Sequence, residues 1–319
     1  MNEILISARN LKKYYPVSTR GKKGVVKAVD DVSFDIFRGE TFGVVGESGC
    51  GKSTLGKALL RLEEPTAGTV TYKGEDLTAL DSAGLKAFRK QAQIIYQDPF
   101  SALNPKKKIR SVLEEPLVIH KLGDKAWRRN QVDALLTKVG LRPEAQDRFP
   151  HEFSGGQRQR IITARALSVS PEFILCDEPV SALDVSIQAQ VINLLMELKT
   201  TESLNYLFIS HDLSVVEHVC DRLAVMYLGR VVETAEKKAF FKAPFHPYSR
   251  ALIDAVPLTD PRAGLNHTIL QGDVPSPINP PPGCHFHPRC PGCQDLCRTT
   301  APELTEREPG RWVACHYPL

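Results

Sequence analysis

Apolar and polar positions alternate over residues 3–9 (EILISAR) and 31–37 (DVSFDIF), the two-residue period of a half-buried strand. A basic, glycine-containing stretch at 18–24 reads as a loop between them. The apolar run TFGVVG at 41–46 predicts a buried strand that enters a glycine-rich turn and then a helix, STLGKALLRL. GTVTYKGEDL predicts a hairpin with a Lys-Gly turn, and QAQIIYQ at 91–97 a further strand. From about 105 to 170 the apolar spacing becomes helical, in SVLEEPLVI, QVDALLTKVGL and QRQRIITARALS. Strand character returns in EFILCDEP at 172–179, NYLFISHD at 205–212 and RLAVMYLGRVVE at 222–233, with helix-like segments such as SIQAQVINLLMELK between them. Strands alternating with helices imply an α/β fold, a mostly parallel sheet covered on both faces. Near 256 the texture changes. GDVPSPINPPPGC is too rich in proline for a helix or a central strand, so a boundary is expected there, with residues 1–255 forming the main domain and 256–319 a compact, loop-rich tail.

Composition narrows the class without naming it. With 42% hydrophobic and 24% charged residues over 319 positions, the chain has ordinary globular usage and room for one large domain and a smaller appendage. A net charge of +4 and a pI near 8.5 tolerate an anionic ligand or a membrane surface and make no demand for nucleic acid, which is not expected as a partner. No apolar stretch approaches the ~20 residues that cross a bilayer. The opening MNEILISARNLKKYYPV is acidic at once and strand-like, unlike a signal peptide, so a cytosolic chain that reaches a membrane through a partner is expected.

The chemistry starts at Gly46-Glu47-Ser48-Gly49-Cys50-Gly51-Lys52-Ser53, which fits G-x-x-x-x-G-K-[ST] between a buried strand and a helix. Glycines let consecutive backbone N–H groups turn toward phosphate oxygens, and the helix N-terminus adds positive potential. Lys52 is expected on the β- and γ-phosphates, the Ser53 hydroxyl on Mg²⁺, and Thr54 continues the nucleotide-binding set. An incidental glycine-rich turn is the plain alternative. It loses ground to Phe173-Ile174-Leu175-Cys176-Asp177-Glu178, an apolar strand ending in two acids. Asp177 suits the same Mg²⁺, directly or through water, and Glu178 suits a general base on the attacking water, an effect of about 10²–10⁴-fold. These stretches define a P-loop NTPase, a class with many functions.

Ser154-Gly155-Gly156-Gln157, after Phe153 and at the start of a helix, resembles the LSGGQ signature of ABC ATPases. That resemblance covers residues 5 to about 255. It implies an ABC nucleotide-binding domain with a RecA-like core, an antiparallel β subdomain and a helical subdomain at about 100–170. In that family the signature meets the γ-phosphate held by the opposite subunit, so two ATPs lie in a head-to-tail dimer. The other stations follow in order. Gln97 resembles the Q-loop glutamine on Mg²⁺ and the lytic water; Ser181-Ala182-Leu183-Asp184 resembles the D-loop that crosses the dimer interface; His211 resembles the switch histidine on the γ-phosphate. Tyr15 is expected to stack on adenine, with Tyr14 as rival, since stacking requires only a flat π-face.

The motifs are shared by importers, exporters and non-transport ABC proteins; the subtype lies elsewhere. FHPYSRAL at 245–252, PSPINPPPGC at 275–284, GESGCGKSTLGKALLRLEEPTAG, DPFSALNPKKK and HDLSVVEHVCDRLAVMYLGRVVE resemble the ATPases of oligopeptide and dipeptide importers, and within them the F-type branch of dipeptide systems. The resemblance implies peptide uptake across a bacterial inner membrane, from its cytoplasmic face. The implied partners are two permease subunits, a second ABC ATPase (a paralogue, giving a heterodimer) and, indirectly, an extracytoplasmic peptide-binding protein. Nickel, glutathione and opine importers share the template. Lys106, Lys107, Lys108 and Arg110, in the segment that borders the permease groove in this family, read equally as a solvated charge run. A non-transport ABC ATPase is the rival of another class, disfavoured by the lack of a long coiled-coil insertion or basic arm.

Of eight cysteines, Cys284, Cys290, Cys293, Cys297 and Cys315 crowd the tail. Thiols this dense in a reducing compartment suggest a metal. The subfamily resemblance implies Cys284, Cys290, Cys297 and Cys315 as ligands of a [4Fe–4S] cluster, with Cys293 outside the set. Zinc is the alternative, completed by His285, His287 or His316. Disulfides, free thiols and a redox control of ATPase activity stay open. Either metal serves structure, because so small a lobe buries little core.

Overall fold

A computed structural model describes residues 3–19, 22–256 and 272–319. In chain order, β1 (Ile4–Thr19) and β2 (Lys22–Phe37) pair antiparallel, and β3 (Thr41–Val45) leads into α1 (Lys52–Leu59). β4 (Ala67–Tyr72) and β5 (Glu75–Asp76) turn at Lys73-Gly74, both with positive φ, as a tight hairpin requires. α2 (Ser82–Gln91), capped by Asp81, runs into β6 (Ala92–Ile95). Then come α3 (Pro99–Ala102), α4 (Ile109–Ile119), α5 (Lys125–Lys138) and α6 (Gly155–Leu167). β7 (Phe173–Asp177), α7 (Val185–Thr201), β8 (Asn205–Ser210) and α8 (Leu213–Val219) alternate. β9 (Arg222–Tyr227), β10 (Arg230–Glu236), α9 (Lys237–Lys242) and α10 (Pro247–Asp254) follow. The last elements are α11 (Asp295–Thr299), β11 (Thr305–Glu308) and β12 (Arg311–Val313).

Two expectations about individual elements are corrected. The stretch 18–24 is not a loop: Val17, Ser18 and Thr19 pair with Gly24, Lys23 and Lys22, while residues 20–21 lie outside the described residues. Polar residues there are compatible with a two-stranded ribbon, which has no apolar face to cover. RLAVMYLGRVVE is two strands, not one; Leu228 and Gly229 take φ of 43° and 80° and fold β10 back on β9.

Contacts divide the chain into two compact units, Met1–Ala79 with Ile209–Leu319, and Leu80–Phe208. In the first, one sheet has the order β2-β1-β4-β5, and another runs β11-β12-β10-β9-β3, with β3 parallel to β9. Phe34 stacks on Phe42 at 5.0 Å, and the Arg222 guanidinium lies over Phe37 and Phe42 while pairing with the buried Glu40. In the second, strands order β8-β7-β6 with β6 parallel to β7, and α4, α5 and α6 bury Val112, Leu113, Leu117, Val132, Leu136, Ile161 and Ile162. The four-stranded sheet is antiparallel throughout, as expected of the β subdomain, and the other strands mix parallel and antiparallel pairs rather than being mostly parallel. Among the described residues no helix is long and apolar enough to cross a membrane.

Candidate nucleotide site

The wholly buried β3 delivers the chain to the loop at 46–53. Gly46 takes φ +150° and Gly51 φ +105°; a Cβ at Gly51 would lie 1.9 Å from the Ala28 carbonyl oxygen, so no other residue fits that path. Gly51 is also the N-cap of α1, which points the first amides of the helix at the loop. Lys52 is 4% exposed and its Nζ donates to the carbonyls of Gly46 (2.8 Å) and Glu47 (3.0 Å), folding the loop around its own cation. Cys50 is buried, and burial pushes its thiol pKa up, as in an inert structural cysteine.

Glu47 behaves unlike the rest of the loop. Its amide donates to Tyr248 Oη at 2.9 Å, and its carboxylate accepts a forked pair from Arg289 at 2.7 and 2.9 Å. Neither partner was reached from sequence. Tyr248 falls within FHPYSRAL, and no local spacing ties it or Arg289 to the loop.

In the second unit, β7 is buried throughout and ends at Asp177, 5% exposed. Glu178 follows with φ +48°, and its Oε2 accepts from Gln97 Nε2 at 2.9 Å. The predicted base and the predicted Q-loop glutamine are thus brought together. A left-handed non-glycine residue at such a place is the kind of strain that marks a site. Ser154 caps α6 reciprocally with Gln157: its amide donates to Gln157 Oε1 at 3.1 Å, and the Gln157 amide to Ser154 Oγ at 3.4 Å. The glycines of the signature have a second use. A Cβ at Gly155 would meet Leu183 Cδ2 at 3.2 Å and one at Gly156 Ile187 Cγ2 at 2.3 Å, so this segment packs directly on the 181–184 turn and the start of α7. That turn is closed by the Ser181 amide and hydroxyl on the Glu178 carbonyl, and Asp184 caps α7 through Ile187 N. Lys107 pairs with Glu115 and Arg110 with Asp147, ion pairs within the helical segment.

Comparison with known proteins decides the family. A model described as ABC transporter matches residues 29–181, and one for the oligopeptide/dipeptide transporter C-terminal region matches 232–297. The oligopeptide transport ATP-binding protein AppF of Bacillus subtilis is 51% identical over 98% of this chain and 97% of its own. The dipeptide transport ATP-binding protein DppF of Haemophilus influenzae is 50% identical over 99% and 97%. The chain is an ABC ATPase of the oligopeptide/dipeptide transporter family. A solved dimer of the ATP-binding cassette MJ0796, in a post-hydrolysis state bound to ADP and Pi, is 27% identical with a TM-score of 0.65, covering 73% of this chain and 99% of that one. cbiO1 from Clostridium perfringens, at 24% identity and TM-score 0.65, shares the fold.

In this ABC ATPase Tyr14 and Tyr15 are differently held. Tyr14 donates a short hydrogen bond to Asp30, which also accepts from Arg230 Nε and Nη2 at 3.0 and 2.8 Å. Burial, then Asp30, pushes the Tyr14 hydroxyl up to about 12. Tyr15 carries the Lys13 ammonium over its ring at 4.9 Å. His211 is exposed just after β8, ahead of the Asp212 side chain that caps α8.

The tail of the ABC ATPase gathers its thiols. Cys284, Cys290, Cys297 and Cys315 line one small pocket, with His246, Phe286, His287 and His316 around it; Cys293 does not line it and turns its Sγ to the Gln294 carbonyl. Burial, reinforced by the neighbouring thiols, raises Cys284 and Cys315 to about 11. His287 Nδ1 lies 2.9 Å from the Cys284 carbonyl, His316 Nε2 lies 2.8 Å from that of Thr300, and His285 lines a different cavity beside Asp30 and Trp312. His246 is wholly buried, accepts from the Tyr248 amide at Nδ1 and so caps α10; burial lowers its pKa to about 3. Among the described residues no three His, Cys, Asp or Glu side chains stand at the spacing of a bound metal ion.

Proposed function

We propose that this ABC ATPase powers import of dipeptides and oligopeptides, working at the cytoplasmic face of a bacterial inner membrane against two permease subunits and beside a second, paralogous ABC ATPase. An extracytoplasmic peptide-binding protein supplies the cargo. The observation that carries the reading is the C-terminal region matched over 232–297, because the ATP motifs alone are common to importers, exporters and non-transport proteins. The named relatives, described as oligopeptide and dipeptide transport proteins, support it over nearly the whole length.

In this reading the loop from Gly46 to Thr54, with Lys52, holds the phosphates, and Tyr15 stacks on adenine, with Tyr14 as its rival. Ser53, Gln97 and Asp177 are the residues that hold Mg²⁺, which offsets charge on the phosphates when bound. Glu178 takes the proton of the attacking water, oriented by the Gln97 amide that already donates to it. His211 steadies the γ-phosphate. Ser154, Gly155, Gly156 and Gln157 cover the partner's ATP, and Ser181, Ala182, Leu183 and Asp184 meet the partner across the interface.

The same reading gives the 256–319 tail a [4Fe–4S] cluster on Cys284, Cys290, Cys297 and Cys315. Zinc, which four thiolates also hold, is the alternative. The four thiols line one pocket, and a four-thiolate donor set is the usual ligation of such a cluster. Bound there, the group supplies fixed cross-links, and the chain's own part is to present thiolates and exclude water.

Proteoliposomes carrying the permeases, the second ATPase and this chain test the proposal. Labelled dipeptide should accumulate with ATP and the binding protein present, and not with Glu178→Gln in this chain. Accumulation of another cargo class and no peptide would overturn the peptide assignment.

A further inference from the structure

Among the described residues, α10 and the cysteine tail both reach the phosphate loop at Glu47, and all three of its polar functions are engaged. Its carbonyl accepts from Lys52 Nζ at 3.0 Å, its amide donates to Tyr248 Oη at 2.9 Å, and its carboxylate takes the fork of Arg289. The partners come from far away in the chain, 201 residues for Tyr248 and 242 for Arg289. Both are rigidly seated. Tyr248 is wholly buried and packs edge-on to Tyr227 at 4.8 Å and against Phe286 at 5.3 Å. The Arg289 side chain is 7% exposed, and it directly precedes Cys290, one of the pocket thiols. The Glu47 carboxylate occupies a loop position where any residue satisfies the motif. Planar, bidentate pairing of a guanidinium with a carboxylate fixes orientation as well as distance, which a single ammonium does not.

We propose that Arg289 and Tyr248 are positioning residues for nucleotide binding: the cysteine lobe holds Glu47, and through the Glu47 carbonyl the phosphate-binding Lys52, in the geometry that receives ATP. This deepens the ATPase reading and rests on it. The clamp makes the integrity of the lobe a determinant of ATP affinity, and by linkage bound ATP stabilises the lobe to the same degree.

The test uses the full chain and a fluorescent ATP analogue with Mg²⁺. Wild-type binding checks the ATPase reading itself; the clamp is checked by the change on substitution. Arg289→Gln should weaken binding by at least about fivefold, the lower edge of ordinary coupling between sites. Its KM for ATP should rise while kcat at saturating ATP stays near wild type. Arg289→Lys, which keeps the charge and loses the fork, should fall between. Combining Glu47→Arg with Arg289→Glu should recover affinity lost in each single variant. Should Arg289→Gln not fold, Tyr248→Phe removes only the oxygen that accepts from the Glu47 amide, and should also raise KM. Wild-type affinity in Arg289→Gln or, where that variant does not fold, in Tyr248→Phe would overturn the clamp, as would a reversed pair no better than its singles.

Discussion

Glu178 combines two features that rarely meet in one residue: a left-handed backbone at φ +48° and a carboxylate already hydrogen-bonded to Gln97. Holding a non-glycine residue there costs on the order of 1–3 kcal/mol, so the surrounding turn must enforce it. The enforcement is visible in the Ser181 amide and hydroxyl on the Glu178 carbonyl. Glu178→Gln keeps an oxygen that accepts from Gln97 and removes the base. Phosphate release should fall about 10²–10⁴-fold while the ATP dissociation constant changes little. A mutant that turns over normally would remove Glu178 from the chemistry. Gly156 gives a second residue-scale test. Gly156→Ala sets a methyl 2.3 Å from Ile187 Cγ2, on a β-branched side chain with little freedom to swing away. Overpacking of this kind costs about 1–3 kcal/mol, read as a lower melting temperature. Ile187→Ala in the same chain should return part of it, and no recovery would show that the glycine serves something other than this contact.

At the level of elements, the sequence was readable where a motif and its structural context are contiguous. Strand, loop and helix around Lys52 follow one another within a few residues, and the apolar strand before Asp177 ends at the acids it positions. Legibility stopped where tertiary pairing decides. The apolar run at 222–233 hides its turn because Leu228 is itself buried, leaving Gly229 as the sole cue. The long β1–β2 ribbon is polar at its far end, so alternation gives out before the pairing does. Tyr248 and Arg289 escape any local reading because their partner lies at the other end of the chain. The Tyr14–Asp30–Arg230 cluster, which pins β1 and β2 to β10, is of the same kind and has a pH signature. Burial alone would raise the Asp30 pKa, but the hydrogen bonds from Tyr14 and Arg230 outweigh it and hold it below the ordinary 3.8. A depressed carboxylate contributes stability that is present above 3.8 and is lost as pH falls through the folded value. Asp30→Asn should cost about 1–3 kcal/mol at neutral pH. Between pH 4.5 and 3 its urea midpoint should then fall less steeply than that of wild type. Parallel profiles for the two proteins would assign the acid sensitivity elsewhere.

For the molecule as a whole, the tail poses the clearest energetic question. From residue 272 onward its buried apolar side chains are Phe286, Cys297, Val313 and Ala314, and only short elements, α11, β11 and β12, give it backbone order. So small an apolar core makes the segment dependent on cross-links to hold its shape. The pairing of β12 with β10 and the Arg311 guanidinium 3.5 Å from the Phe245 ring centre tie it to the preceding segment. The metal proposed for the four thiols would add such a cross-link, since binding free energy at such a site is folding free energy. If the proposed metal is bound, removing it anaerobically with a strong chelator should melt the tail first, giving a separate low-temperature transition in calorimetry. Alkylation read by mass spectrometry identifies which part has opened. Cys284, Cys290, Cys297 and Cys315 should become reactive together, while Cys50, Cys176 and Cys220, buried under the ATPase core, stay protected. Metal analysis of the protein before chelation separates the two chemistries, with iron and acid-labile sulfide marking the cluster and zinc alone marking the single ion. If the protein holds neither, or if chelation leaves the thiol pattern unchanged, the pocket is a packing feature and the tail must be held by its contacts with β10 and Glu47.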